Sequence, residues 1–291
     1  MDDFRNMYLE NNSPNKIYID YHYQSLNEMN IIFCCTPICS VIEFRKCYEP
    51  FIHFGFNVFA IDFSGVGQSD GEMEHFSVNS VMDNFECLVK YIRSLNDHPI
   101  FMFGDTGIGG IFAQYFISIT NEISAFAQFG NAVYRNMSPL KCPNWLVNII
   151  YPILGVTSRL FPALNVPFSI PKYSGYNEDK DNNFYVEQKK RNPKIFHVNI
   201  NLIQALMYML WDKKSSIRSN IVIPTLVFKT LYDRYFSSEY FDEYYENLKC
   251  IKKMIVIEDV HNSYFFYPDL FAREVADWYV DNVDKKTKLD G

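Results

Sequence analysis

The segment IFMFGDTGIGGIFAQYF (100–116) decides the fold. It opens on an unbroken apolar run, as expected for a strand buried on both faces of a parallel sheet. Gly104-Asp105-Thr106-Gly107-Ile108-Gly109-Gly110 then turns the chain, and the small and apolar residues that follow suit a helix packed in a core. A strand entering a helix through a Gly-rich turn is the context of a nucleophile elbow. Glycine permits the sharp turn, and the central side chain is held up into the site. A nucleophile placed there sits at a helix N-terminus, where backbone N–H groups and the dipole favour developing negative charge. Counting two residues on from Gly104 puts Thr106 at the nucleophile position. Counting back from Gly109-Gly110 puts Gly107 there, which would leave no nucleophile.

Outward from this turn, short β-type runs alternate with helical segments, the pattern of a mostly parallel sheet with crossover helices. NIIFCC (30–35), NVFAIDF (57–63) and ISAFAQFG (123–130) read as strands, as do IPTLVFKTL (223–231) and KMIVIEDV (253–260). KIYIDYHY (16–23) alternates apolar and polar residues and predicts a half-exposed edge strand. Helices are predicted over 41–54, 78–95, 202–211, 239–248 and 269–283. In the second of these, Val81, Phe85, Leu88 and Ile92 share one face. Between 131 and 214 strand signals fade and prolines cluster, and YNEDKDNNF (176–184) reads as an exposed loop. An insertion of this length between two strands of one sheet is usually functional. The expected organisation is therefore a core of residues 1–130 and 215–291, with a mostly helical cap over 131–214.

Three further segments carry a family resemblance. NVFAIDFSGVGQSDGE (57–72), VIPTLVFKTLYDRYFSSE (222–239) and IVIEDVHNSYFFYPD (255–269) resemble the serine-aminopeptidase-like, or monoglyceride-lipase and lysophospholipase-like, branch of the α/β hydrolases. The resemblance covers roughly 28–130 and 215–283, and it implies an α/β-hydrolase fold. It places the catalytic acid at Asp233 and the catalytic histidine at His261, so that Thr106, Asp233 and His261 follow the family's nucleophile–acid–base order. The elbow departs from the family pattern, which has Ser where this chain has Thr106 and Gly where it has Ile108. The oxyanion loop departs as well, with Thr36-Pro37 in FCCTPICS (33–40) replacing His-Gly. Proline has no N–H, and the family's donor is the residue after it, so the resemblance assigns the oxyanion hole to the N–H groups of Ile38 and Gly107.

Each assignment has a plainer alternative. Asp233 alone would be a cap for the helix starting near Ser237, His261 alone a packing histidine, and Thr106 alone a turn residue. Asp105 as an aspartyl nucleophile lies one residue too early in the turn. Taken together, the segments imply acyl transfer from an ester, thioester or amide through an acyl-enzyme on Thr106. Transfer to an acceptor other than water, as in an acyltransferase or cyclase, and ligand binding without catalysis are the competing readings.

Composition narrows the partners. The formal charge is −7 and basic residues are not concentrated, which disfavours nucleic acid. No cofactor motif is present: SGVGQSDG (64–71) has neither GxGxxG nor the P-loop lysine. The seven cysteines are scattered and odd in number, matching neither a metal site nor a disulfide framework, so they are expected as buried thiols in a reducing compartment. With no apolar leader, and with Trp145–Val156 too short and interrupted to span a bilayer, the chain reads as cytoplasmic without stable membrane insertion. The expected partner is a small molecule, its hydrophobic acyl group suggested by apolar residues such as Trp145, Ile149 and Leu160. The sequence leaves the oligomeric state open.

Overall fold

The computed structural model describes residues 4–11, 15–105, 107–130, 132–137, 142–167, 174–217 and 221–282. In chain order these form β1 (Arg5–Glu10), β2 (Lys16–His22), β3 (Met29–Cys34), α1 (Arg45–Tyr48), β4 (Phe56–Ile61), α2 (Val78–Leu95), β5 (Ile100–Gly104), α3 (Ile108–Ile117) and β6 (Ile123–Phe129). Next come α4 (Asn144–Leu160), β7 (Asn165–Pro167), α5 (Glu178–Arg191), β8 (His197–Asn199) and α6 (Ile200–Trp211). The chain then closes with β9 (Thr225–Tyr232), α7 (Ser238–Asn247), β10 (Lys252–Val260), α8 (Ser263–Phe266) and α9 (Pro268–Asn282). One sheet of eight strands runs in the order β1-β2-β4-β3-β5-β6-β9-β10. Its first two pairings, β1 with β2 and β2 with β4, are antiparallel, and the remaining ladders are parallel.

Apolar runs read as strands because both faces of this sheet are covered. Ile32, Ile100 and Met102 pack on the side of α2, α3 and α6, whereas Ile31, Phe101 and Phe103 pack on the side of α1, α8 and α9. Aromatics pack against the sheet in both layers, as in the second where Tyr279 stacks on Phe101 with centroids 4.4 Å apart. The predicted face of α2 is buried at Val81, Phe85, Leu88 and Ile92, and the helix begins at a reciprocal Ser77–Ser80 cap.

Three expectations are corrected. Lys16–His22 is not an edge strand, because Arg5–Glu10 pairs along its outer side and leaves most of it buried. Residues 41–54 form two 3-10 turns flanking the short α1, with Pro50 inside the second turn. YNEDKDNNF is largely helical: Glu178–Arg191 is one helix, and Asp181 within it is 0% exposed.

Between β6 and β9 the chain makes a small core of its own. Val147 and Leu154 of α4 pack on Ile200, Met207 and Trp211 of α6, while Leu202, Ala205 and Met209 of the same α6 join the main core. Pro152 lies within α4 without ending it. β3 has β4 on one side and β5 on the other, so successive crossovers diverge there. That switch point lies in the strand order at the place where open α/β sheets generally bind ligands, in a crevice outside the carboxyl ends of the strands.

Candidate active site

The turn after β5 is held by close backbone packing. A Cβ on Gly104 would lie 2.7 Å from the Cα of Gly110, and one on Gly109 would lie 2.3 Å from the carbonyl carbon of Cys35. Glycine is required at both places because α3 folds back against β5 and the end of β3. Thr106 lies outside the described residues. Its neighbour Asp105 is 1% exposed and faces inward. Its Oδ1 accepts from the N–H groups of Gly107 (3.0 Å) and Gly110 (3.1 Å), and its Oδ2 from that of Thr36 (2.5 Å). Burial pushes the Asp105 carboxyl up, against the opposing pull of these hydrogen bonds. Asp105 thus caps α3 and ties it to the segment after β3, and both of its oxygens are occupied.

The two N–H groups assigned to an oxyanion hole are engaged within the chain. Ile38 donates to the Thr36 carbonyl at 2.8 Å, and Gly107 donates to Asp105. A second buried carboxylate grips the far end of the same segment: Asp62 accepts from Val41 N–H (2.6 Å), Ser40 Oγ (2.9 Å) and Gln68 N–H (2.9 Å). Burial pushes Asp62 up to about 6. Cys39 lies between these anchors, where burial, joined by Glu43 and Asp62, pushes its thiol up and away from the nucleophilic thiolate.

Asp233 and His261 meet because of strand register. The β9–β10 ladder ends on the pair Val260–Tyr232, after a bulge that places one extra residue on β10 beyond Ile257, so His261 and Asp233 are the next residue on each strand. His261 Nδ1 lies 2.6 Å from Asp233 Oδ2. Oδ2 also accepts from Thr230 Oγ1 (2.9 Å), and Oδ1 accepts from the N–H groups of Tyr235 (2.8 Å) and Phe236 (3.0 Å). The following helix, α7, is capped by Ser237, whose Oγ accepts from Tyr240 N–H, so capping does not account for Asp233. His261 is 7% exposed, with Tyr235 edge-on at 4.7 Å and Phe236 at 6.0 Å between centroids. Because the carboxylate only accepts, Nδ1 carries the proton, and Nε2 is the nitrogen left for proton transfer.

Burial acts to raise the Asp233 pKa, but the His261 ring and the Phe236 and Tyr235 N–H groups together hold it below the ordinary value of 3.8. For a depressed carboxylate, the stabilisation is present above the unfolded pKa and lost as pH falls through the folded one. The difference in Tm between the parent and Asp233→Asn should therefore be constant near neutrality and shrink below about pH 4. Thermal melts between pH 3 and 7 read this, and a gap independent of pH would refute it.

Sequence reasoning passed over the neighbours on α5. Tyr185 accepts from Asn262 Nδ2 at 2.8 Å, and Asp181 pairs with Arg234, so a charged helix touches the residues that follow His261 and Asp233. A run of charges offers no local sign of burial.

Residues 42–262 match the family described as "Serine aminopeptidase, S33". The chain belongs to this family. Solved structures share its fold across nearly the whole chain. A monoacylglycerol lipase of Paleococcus ferrophilus superposes with a TM-score of 0.71 at 18% identity, covering 91% of this chain and 99% of that one. An esterase of Exiguobacterium antarcticum gives 0.63 at 12%, covering 93% and 98%. A haloalkane dehalogenase loop variant of Bradyrhizobium elkanii gives 0.62 at 13%, covering 99% and 100%. No curated protein matches in sequence. This member of the serine aminopeptidase family is an α/β-hydrolase-fold enzyme, and no helix among its described residues is long and apolar enough to cross a membrane.

Proposed function

We propose that the protein hydrolyses an ester, thioester or amide through an acyl-enzyme on Thr106, with His261 as general base and then acid, and Asp233 orienting and stabilising the imidazole. The observation that carries this reading is the 2.6 Å Nδ1–Oδ2 bond, with the second Asp233 oxygen held by two backbone N–H groups. In the first half-reaction the Thr106 hydroxyl gives its proton to Nε2 as its oxygen bonds the carbonyl carbon. His261 then returns the proton to the departing alcohol, thiol or amine. Water repeats the sequence to release the acid. Asp233 balances the imidazolium charge without taking the proton. The Ile38 and Gly107 N–H groups stabilise the oxyanion once they turn from Thr36 and Asp105. The threonine methyl restricts χ1 and slows both half-reactions relative to serine. Residues 131–214 act as a cap over the crevice, and the apolar residues exposed on α4, including Trp145, Ile149 and Leu160, support a substrate with a hydrophobic acyl group. The site works on a small molecule, without cofactor or nucleic acid, in the cytoplasm.

One observation favours a second reading, in which the chain binds a ligand without turning it over: both N–H groups assigned to the oxyanion hole are engaged within the chain, Ile38 on the Thr36 carbonyl and Gly107 on Asp105. Turnover of p-nitrophenyl esters from acetate to decanoate separates the two. The parent should be active, Thr106→Ala should lose on the order of 1000-fold or more in kcat, and Thr106→Ser should match or exceed the parent. A parent that is inert, with Thr106→Ser active, moves the reading toward another acceptor or binding. Inertness of parent and serine variant alike removes the acyl-enzyme.

A further inference from the structure

We propose that Asp181 of α5 is a positioning residue for the Asp233–His261 pair, acting through Arg234 and Asn262. The inference rests on reading that pair as catalytic acid and base. Asp181 is the one buried residue among those described on the most polar helix of the chain, and its side chain is 1% exposed. A carboxylate removed from water loses its solvation, a penalty that only pairing and hydrogen bonds offset. Its partners come from far along the chain: it forms an ion pair with Arg234, the residue after Asp233, and accepts from Nδ2 of Asn262, the residue after His261, at 3.2 Å. One carboxylate therefore ties the acid loop to the base loop.

Neighbouring residues on the helix reinforce the tie. Arg234 donates to Asn182 Oδ1 at 3.0 Å, and its guanidinium lies 4.9 Å from the centroid of the Tyr185 ring. Tyr185, one turn beyond Asp181, accepts from Asn262 Nδ2 and meets the hydroxyl of Tyr235 at 3.2 Å, and Tyr235 is the ring that stands edge-on to His261. On the other flank Lys180 Nζ donates to Asp259 Oδ2 (2.7 Å) and Tyr267 OH (3.1 Å), holding the bulge of β10 two residues before His261.

The sheet alone does not supply this control, because the β9–β10 ladder ends at Val260–Tyr232, before either catalytic residue. Past that point the distance between carboxylate and imidazole is set by two loops, and α5 grips both. Misplacing Nε2 by a fraction of an ångström removes the alignment a general base needs. The inserted helix and the acid–base pair thereby form one unit.

The test uses full-length protein with ¹⁵N-labelled histidine, reading the His261 ring nitrogens by NMR alongside ester kinetics. Asp181→Asn keeps the shape and removes the charge. It should lower kcat on the order of 10- to 100-fold with KM within about twofold, and displace the His261 ring signals. Tyr185→Phe should displace them less, and it carries the test if Asp181→Asn does not fold. Lys190→Ala, at an exposed pair on the same helix, should leave both readouts unchanged. Unmoved His261 signals in a folded Asp181→Asn or Tyr185→Phe protein overturn the proposal, as does a fall in kcat that only follows the folded fraction. If the parent and Thr106→Ser both lack turnover, the acyl-enzyme reading fails on its own. The ring signals then decide alone, displacement supporting the positioning role and constancy ending it.

Discussion

His261→Ala should lower kcat/KM for an activated ester by about three to four orders of magnitude, with the far-UV circular dichroism of the parent retained. The size follows from the geometry: Nδ1 is committed to Asp233 at 2.6 Å, so Nε2 is the one position from which this ring can take the nucleophile's proton. The fold should survive, because His261 lies one residue past the end of the β10 ladder and contributes no strand pairing. Asp233→Asn should cost a similar factor for a different reason: its amide nitrogen cannot accept from Nδ1–H, so the imidazole settles in the wrong tautomer. Groups that act as a unit are not additive, and the double variant should therefore be scarcely slower than His261→Ala alone. Activity within tenfold of the parent in His261→Ala would remove His261 from the mechanism.

The largest expected effect on stability is at Asp105. Asp105→Ala leaves the N–H groups of Thr36, Gly107 and Gly110 without their acceptor at a site where the native side chain is 1% exposed. Each buried unpaired donor costs about 1–3 kcal/mol. Relief of the buried carboxylate's own desolvation offsets part of the total, leaving a loss of about 3–5 kcal/mol by urea unfolding. Asp105→Asn keeps the volume and one acceptor oxygen, so it should lose less and retain turnover in its folded fraction. The opposite pattern, full stability with no turnover in Asp105→Asn, would make this carboxylate the attacking group. A stability change below about 1 kcal/mol in Asp105→Ala would mean that the elbow is not held as the hydrogen bonds indicate.

The elbow shows how far local sequence reaches. Gly104 and Gly109 mark a strand-to-helix turn because only glycine tolerates the backbone approach found there, and that requirement is visible in the residue types. The same holds for 30–35 and 57–63, whose apolar runs reflect burial on both faces of the sheet, and for α2, whose 3.6-residue period predicted its buried side. By contrast, the alternation in Lys16–His22 pointed to an edge, and what buries the strand is a ladder with Arg5–Glu10 that lies outside its own pattern.

The sequence by itself determined the α/β order of elements and the glycine turn after residue 104, since each follows from local periodicity or turn chemistry, while the choice of Asp233 and His261 rested on the resemblance of their flanking segments to a family. Only the tertiary structure decided that Ile38 and Gly107 donate their N–H groups to Thr36 and Asp105, that Asp105 is an anchor, and that Asp181 is buried against the loops carrying Asp233 and His261. Those outcomes depend on which distant groups meet in a dry environment. A carboxylate in a charged stretch looks solvated until an arginine and an asparagine from loops far along the chain close around it.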